Sequence, residues 1–319
     1  MQISVIIPVY NAAPYLERSV NSVISQTFPQ WELILVNDGS TDGSGQICDG
    51  FAQRNSRVRV IHQKNAGAGA ARNAGIAQAK GDYVVYVDAD DIIERNYLEL
   101  LSQRDEDLVF IDVDRIDTKG NIVGIEYMSK YKHLSKDELL RSQMTGRLPW
   151  GGVRKCIKRQ LLIDNQICYS NHKIGEEAIY SYLVLRHAQT IGFIDQPVYH
   201  YLQHGDSLSN STVDDPWGEV ALALRDKVKE QGDYEGYGDT VNAFIETAAI
   251  VSVYKMARKY SMTEYKHKAD NRWRQMQGQK DGQKAVDRRH QSRAVRLFGL
   301  MAQTRQWPLA WVVGRLRQR

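Results

Sequence analysis

Long apolar runs are missing from this sequence. No stretch approaches the roughly 18 residues that span a bilayer, and the best near the C-terminus is only "LAWVV". The N-terminus, "MQISVIIPVYNA", is apolar but has no basic leader, and Pro8 and Asn11 interrupt it. It reads as a buried first strand, not as a signal peptide. Cysteine is scarce. Cys48, Cys156 and Cys168 are odd in number and widely spaced, with no C-x-x-C pair. That pattern signals neither a zinc site nor a disulfide framework, and a reducing cytoplasm is the simplest setting. Internal repeats and low-complexity tracts are absent as well.

What is present is an uneven charge. Nine basic residues against Asp287 give residues 284–319 a charge of +8, which leaves −4 for residues 1–283 of a chain whose total is +4. An acidic body with a basic tail argues against a nucleic-acid binder and suggests that the tail meets something anionic. The 319 residues suit one large domain with an appendage, or two domains.

The first hundred residues alternate between two patterns. Short runs apolar on both faces, at 3–9, 31–38, 58–62 and 83–88, have strand length. Helical patterns at 14–26, 43–54 and 66–79 separate them, with Ser40 or Thr41 available to cap the second. Such alternation predicts an α/β fold, a mostly parallel sheet with helices on both faces. A fifth strand is expected at 107–116. Further on, 135–144 reads as a helix with Ser135 as cap and Glu138 completing a capping box. Residues 176–188 read as another helix, and 190–203 as a bent strand or strand pair. From Pro216 onward the pattern is helical. The expected division is 1–210, with halves 1–100 and 101–210, followed by a helical extension over 211–319.

In an open parallel sheet, ligands sit beyond the carboxyl ends of the strands. The segments that follow the strands carry Pro8, Tyr10 and Asn11, then "NDGSTDGS" with Asp38, then "QKNAGAGAARN" with Arg72, then "DADD". Together they offer a ring, carboxylates, flexible backbone and a guanidinium, which suits a nucleotide bearing phosphates. Taken singly, Tyr10 could cover a sheet edge, Asp38 could be a turn residue and Arg72 a solvated charge. The crowding of Asp88, Asp90 and Asp91 is harder to dismiss, because carboxylates at one strand end repel unless a cation is near. Aspartates with one spacer can direct oxygens at Mg²⁺ or Mn²⁺. A dinucleotide-binding reading is disfavoured. Gly67 and Gly69 match the first two glycines of G-x-G-x-x-G, but Arg72 stands at the third and the loop follows the third strand.

Residues 3 to about 95 resemble the inverting family 2 glycosyltransferases of GT-A fold, of the bacterial surface-polysaccharide type. The resemblance implies a nucleotide-sugar donor, usually a UDP-sugar, a divalent metal (Mn²⁺ or Mg²⁺), and a glycan or lipid-linked acceptor. It places Pro8, Tyr10 and Asn11 beside base and ribose, Asp38 as acceptor from the base N3–H, and Arg72 near the nucleotide. Asp88 and Asp90 match the ends of D-x-D, the first towards the ribose and the second on the metal; Asp91 has no assigned role. The family's base comes from a Glu-Asp pair opening a helix. Here "KIGEEAIYSYLVL" occupies that place, so Glu177 becomes the base beside Glu176, a departure by one methylene. "LPWGGVRKCIKRQLL" resembles the segment before the acceptor pocket, although Gly152 to Lys155 depart from its usual wording, and Trp150 is either a sugar-stacking ring or core. His200 and His204 are either diphosphate contacts or structural histidines. A nucleotidyltransferase and a non-catalytic nucleotide-sugar binder are the competing readings. The first lacks its N-terminal Gly-rich signature here; the second would show loss of D-x-D or of the base, and both are present.

In the tail, Trp307 and Trp311 share a helical face, with Arg315 one turn on. This composition suits an interfacial helix on an anionic membrane, and hence a cytoplasmic protein peripheral to the inner face of the cytoplasmic membrane. The alternatives are a basic helix packed on the body, or a dimer contact.

Overall fold

The computed structural model describes residues 1–170, 176–204 and 216–316. It separates into two compact units, Met1–Leu134 with Trp150–Ser211, and Ser135–Pro149 with Thr212–Arg319. The segment 135–149, expected within the acceptor half, thus groups with the C-terminal unit. The boundary expected at 210–211 lies outside the described residues.

The first unit opens with β1 (Ile3–Val9), α1 (Ala13–Ile24), β2 (Trp31–Asp38), α2 (Ser44–Arg54), β3 (Val58–Gln63), α3 (Ala68–Gln78) and β4 (Tyr83–Tyr86). All of β2, and all of β1 except Pro8, is buried. Burial of each large aliphatic side chain contributes roughly 1.5–3 kcal/mol, so these runs specify central strands. The four strands are parallel, in the order β3-β2-β1-β4. The chain builds outward from β1 to β3, then returns to β4 on the other side of β1. That reversal opens a crevice between the carboxyl ends of β1 and β4. Helix α3 lies close over β1: a Cβ on Gly75 would stand 2.5 Å from Ile6 Cγ2.

Beyond β4 come β5 (Ile92–Ile93), α4 (Tyr97–Ser102), β6 (Leu108–Ile116) and β7 (Ile122–Glu126). After the α5 segment, the unit resumes with β8 (Lys155–Lys158), α6 (Arg159–Asp164), α7 (Glu176–His187) and β9 (Ile191–Leu202). Here the sheet is mixed. β8 runs antiparallel to β4 and β6, β9 parallel to β6, and β5 and β7 antiparallel to β9 and β6. The expected parallel sheet therefore holds for the first half and turns mixed in the second. β5 and β8 are too short to leave a periodic signal. The segment 190–203 forms one bent strand, β9, whose register against β6 shifts around Asp112.

Neither Ser40 nor Thr41 caps α2. Asp42 Oδ1 accepts from the Ser44 N–H at 3.0 Å and the Ser44 hydroxyl at 2.6 Å. Its Oδ2 accepts from the Ala13 N–H at 3.0 Å, joining the starts of α1 and α2. Ser40 and Thr41 instead bind Asn11, described below.

In the second unit, α5 (Lys136–Met144) begins with the expected capping box of Ser135 and Glu138. Then follow α8 (Pro216–Glu230), α9 (Tyr234–Lys259), α10 (Met262–Gln277), α11 (Arg293–Gln303) and α12 (Trp307–Leu316). The long α9 is the core against which the other five pack. Its buried Glu246 accepts from Arg288 Nε at 2.8 Å and Nη2 at 2.9 Å, with Lys280 Nζ at 3.5 Å. Trp307 is buried and Trp311 half-buried. Their indole N–H groups donate to Asp270 Oδ1 at 3.3 Å and to the Tyr260 carbonyl at 3.1 Å. The tryptophan face of the tail thus turns inward, onto its own unit. No described helix is long and apolar enough to cross a membrane.

Candidate active site

The carboxyl ends of β1 and β2 are joined through side chains. Asn11 adopts a positive φ of 48°, conformationally tolerable for asparagine. Its Oδ1 accepts from the Thr41 N–H at 2.8 Å, and its own N–H donates to Ser40 Oγ at 3.1 Å. Tyr10 beside it is 52 % exposed. Pro8 lies within β1, paired with Val36. Asp38 is almost wholly buried. Its Oδ1 accepts from Gln63 Nε2 at 2.7 Å and the Ala66 N–H at 2.9 Å, and its Oδ2 from the Gly67 N–H at 2.8 Å. Its carboxylate therefore fastens the β3–α3 loop to the end of β2.

After β4, the three aspartates do different things. Asp91 is completely buried, and its Oδ2 accepts from the Tyr199 hydroxyl at 2.6 Å and its Oδ1 from the Leu202 N–H at 2.8 Å. Burial pushes this carboxyl well above its ordinary range, with Asp88 and Asp90 adding to the rise. The same Tyr199 oxygen accepts from the Asp88 N–H at 3.0 Å. Asp91 and Tyr199 thereby clamp the D-x-D turn to the end of β9. Asp88 Oδ1 accepts from Arg72 Nη2 at 3.0 Å; burial raises this carboxyl too, against the pull of Arg72. Asp90 is about a third exposed, and its Oδ2 lies 2.8 Å from His204 Nε2. The His204 ring stacks on Tyr15 with centroids 5.0 Å apart, and its buried Nδ1 has no described partner. Of the three, Asp90 is the carboxylate best placed to meet a ligand or cation from solvent. Among the described residues no group of three or more His, Cys, Asp or Glu side chains forms a metal cage.

Arg72 gathers the other half of the site. It is buried on α3, and its Nη1 lies 3.7 Å from Glu176 Oε1 and 3.5 Å from Glu177 Oε1, both at the start of α7. One guanidinium thus faces three carboxyl groups, Asp88, Glu176 and Glu177. The two glutamates respond differently. Glu176 is pushed up to about 7 by burial and by the neighbouring Glu177 charge, only partly offset by Arg72. Burial also acts on Glu177, but Arg72, the Gly152 N–H, Lys155 and Arg154 outweigh it and hold this carboxyl below its ordinary range. The Gly152 N–H donates to Glu177 Oε1 at 3.0 Å, leaving Oε2 not engaged by a described donor. Lys155, wholly buried, donates to the carbonyls of Trp150 and Gly151 and is pushed down to about 7 by desolvation.

The packing that brings these groups together is aromatic. Tyr169 stacks on Tyr180 at 3.9 Å, Tyr86 meets both edge-on, and Arg72 lies 5.3 Å over Tyr169. Asn73 on α3 exchanges hydrogen bonds with both the carbonyl and the N–H of Tyr169. A Cβ on Gly69 would stand 3.2 Å from Tyr169 Cβ and 3.3 Å from Glu176 Cγ. The second glycine of the loop therefore serves close approach of the α7 segment, not a dinucleotide.

The structure thus brings Arg72, Asp88, Glu176 and Glu177 together, and sets His204 on Asp90. Trp150 is half-buried, with its carbonyl accepting from Ser181 Oγ at 2.6 Å. His200 is directed elsewhere: its Nε2 lies 2.8 Å from Glu94 Oε1 and its Nδ1 3.5 Å from Asp114 Oδ2. Sequence reasoning missed Asp42, Lys155, Tyr169 and Tyr199. Asp42, Tyr169 and Tyr199 sit in apolar or turn-like contexts and Lys155 in a basic run, where only the fold reveals what each polar atom reaches.

The family described as Glycosyl transferase family 2 matches residues 4–158. Glycosyltransferase GlyG of Streptococcus pneumoniae is 34% identical over 241 residues, covering 70% of this chain and 78% of that protein. The uncharacterized glycosyltransferase EpsJ of Bacillus subtilis is 30% identical over 215 residues, covering 65% of this chain and 62% of its own. The crystal structure of S. aureus TarS 1-349 in complex with UDP-GlcNAc superposes with a TM-score of 0.71 at 19% identity, covering 99% of this chain and 91% of that one. This last likeness establishes the fold. The extent of the match to GlyG establishes the family: the chain belongs to glycosyltransferase family 2 and is a glycosyltransferase.

Proposed function

We propose that the chain transfers a sugar from a UDP-sugar to a hydroxyl of a glycan or lipid-linked acceptor, with inversion and with a divalent metal. The observation that carries this reading is the single guanidinium of Arg72 shared between Asp88 and the Glu176–Glu177 pair. It brings the D-x-D carboxylate and the opening of α7 to one place, as a transferase needs if donor and proton acceptor are to flank one carbon. The UDP-GlcNAc complex of TarS, which has the same fold, supports a nucleotide-sugar as donor.

In this reading Tyr10 and Asn11 flank the nucleoside. Asp38 holds the loop beneath it and offers the base an acceptor. Asp88 faces the ribose. Asp90, with His204 Nε2 2.8 Å from its Oδ2, would hold the metal. A carboxylate beside an imidazole would suit Mn²⁺ better than Mg²⁺, which prefers oxygen ligands alone, and the pair would leave room for further ligands. Such an ion supplies positive charge where the departing diphosphate gains negative charge. Glu177, held ionised, accepts the proton of the attacking hydroxyl. The position of Glu176 near neutrality supports a second reading, in which Glu176 is the proton acceptor and Glu177 its electrostatic partner. Family membership sets aside the nucleotidyltransferase and non-catalytic readings. A role in surface polysaccharide assembly, cytoplasmic and peripheral to the membrane, completes the proposal.

The test combines donor binding and turnover. Calorimetry with UDP-GlcNAc and other UDP-sugars, with and without Mn²⁺, names the donor. Glu177→Gln is expected to retain donor affinity while slowing donor turnover about 10²–10⁴-fold. Native turnover in Glu177→Gln together with loss in Glu176→Gln would transfer the role to Glu176.

A further inference from the structure

Two helices of the C-terminal unit, α11 and α12, expose apolar faces that their own packing does not explain. All of the large hydrophobic side chains that this unit exposes among the described residues lie on α11 and α12: Leu297, Leu300, Leu309, Val312 and Leu316. Their spacing is helical. Leu297 and Leu300 share a face of α11, and Leu309, Val312 and Leu316 share a face of α12. Each helix buries its opposite face, through Phe298, Met301 and Ala302 on α11 and Trp307 and Ala310 on α12. The exposed face is thus a second apolar face on helices already anchored by a first.

The segment that carries these helices is charged with one sign. From Arg288 to Arg319 there are eight arginines and no aspartate or glutamate. Some of them are engaged within the unit: Arg288 with Glu246, Arg289 with Asp287, Arg305 with Asp270 at 3.7 Å, and Arg315 with the Ala257 carbonyl at 3.0 Å. Arg293 and Arg296 remain exposed on the same side of α11 as Leu297 and Leu300. A two-fold contact with a second copy would bring these arginines against their own kind. An anionic lipid surface matches both components, because headgroups meet the arginines while leucines enter the acyl boundary.

We infer that the leucine–valine face of α11 and α12, with Arg293 and Arg296 beside it, seats this protein on an anionic lipid surface. Trp307 and Trp311 take no part in the contact and serve as anchors of the helices to α9 and α10. This inference rests on the peripheral-membrane part of the proposed function and is independent of the donor chemistry.

The full chain is sedimented with phosphatidylcholine vesicles and with vesicles of equal parts phosphatidylcholine and phosphatidylglycerol. Wild type is expected to bind the second and not the first, with binding weakened by salt. Leu297→Gln combined with Leu300→Gln and Leu309→Gln should lower the partition coefficient at least about tenfold, and Arg293→Gln with Arg296→Gln should remove the preference for anionic vesicles. Circular dichroism spectra and thermal melts, both unchanged, confirm intact variants. Failure of wild type to bind either vesicle overturns the membrane reading together with this inference. Wild-type binding that the leucine variants retain overturns the assignment of the face alone. A wild-type dimer in light scattering that the leucine variants convert to monomer gives the face to a second copy and also overturns it.

Discussion

Two of the clusters in which the molecule buries charge are built on opposite principles. In the C-terminal unit one carboxylate, Glu246, faces the fork of Arg288 and the ammonium of Lys280. Its oxygens are filled, and both cations reach towards solvent. Around Arg72 the ratio inverts: one guanidinium faces three carboxyl groups, its Nε has no described partner, and one of the acids rises to about 7. The first arrangement can do nothing but hold α9 to the chain that follows α10. The second is short of positive charge by design and is eased by anything that brings more. A buried ion pair is therefore not informative as such; its imbalance is.

The largest effect should come from removing the cation at the centre of the unbalanced cluster. Arg72→Met takes the guanidinium from Asp88 and Glu176 and leaves Glu177 only Lys155 and Arg154, at a cost of about 3–5 kcal/mol, and should abolish donor turnover. Urea denaturation and a turnover assay test both, and a native-like result in either would remove the contrast between the clusters. Next is Asp91→Asn, which keeps the shape but loses one acceptor of the clamp to Tyr199 and Leu202. We expect a loss of roughly 1–3 kcal/mol, accompanied by weaker metal-dependent donor binding in calorimetry, since the clamp positions the Asp90 turn. Glu246→Ala should be milder, about 1–2 kcal/mol, because Arg288 and Lys280 can turn to water. Donor affinity and turnover should not move; a change in either would give the Glu246 cluster a functional role.

The smallest effect has the opposite sign. Glu176 takes its proton more tightly in the folded state, so folding loses stability as pH rises from the ordinary carboxyl range through about 7. Glu176→Gln should accordingly raise stability by on the order of 1 kcal/mol at pH 8 and leave it unchanged at pH 4, where wild type is already neutral. Thermal melts at the two pH values check it. Equal melting points at pH 8 would mean that Glu176 carries no excess burden there.

The parallel half was legible from sequence because its strands are buried on both faces and its helices punctuate them regularly. Arg72 and Asp88 were legible as parts of a motif, but their direct pairing was not. The glutamates of α7 entered only through resemblance, since two acids at a helix start also complement its dipole. The second half of the sheet was obscured by short strands such as "KCIK". The tail shows the limit of periodicity. Spacing placed Trp307 and Trp311 on one face correctly, but spacing carries no information about which face is inside when both are apolar.

The bend in β9 has a consequence for how this fold tolerates change. Successive strand residues point to opposite faces, so Tyr199 and His200 serve different partners: Tyr199 the Asp88–Asp91 turn, His200 the Glu94–Asp114 pair. The register shifts around Asp112 set the phase in which Tyr199 arrives. One residue deleted between Phe193 and Val198 would bring the His200 imidazole to the place of the phenol beneath the D-x-D turn, and one residue inserted would bring the Val198 side chain there. The middle of β9 acts as a counting device, and its length should be as constrained as the identity of the aspartates it serves.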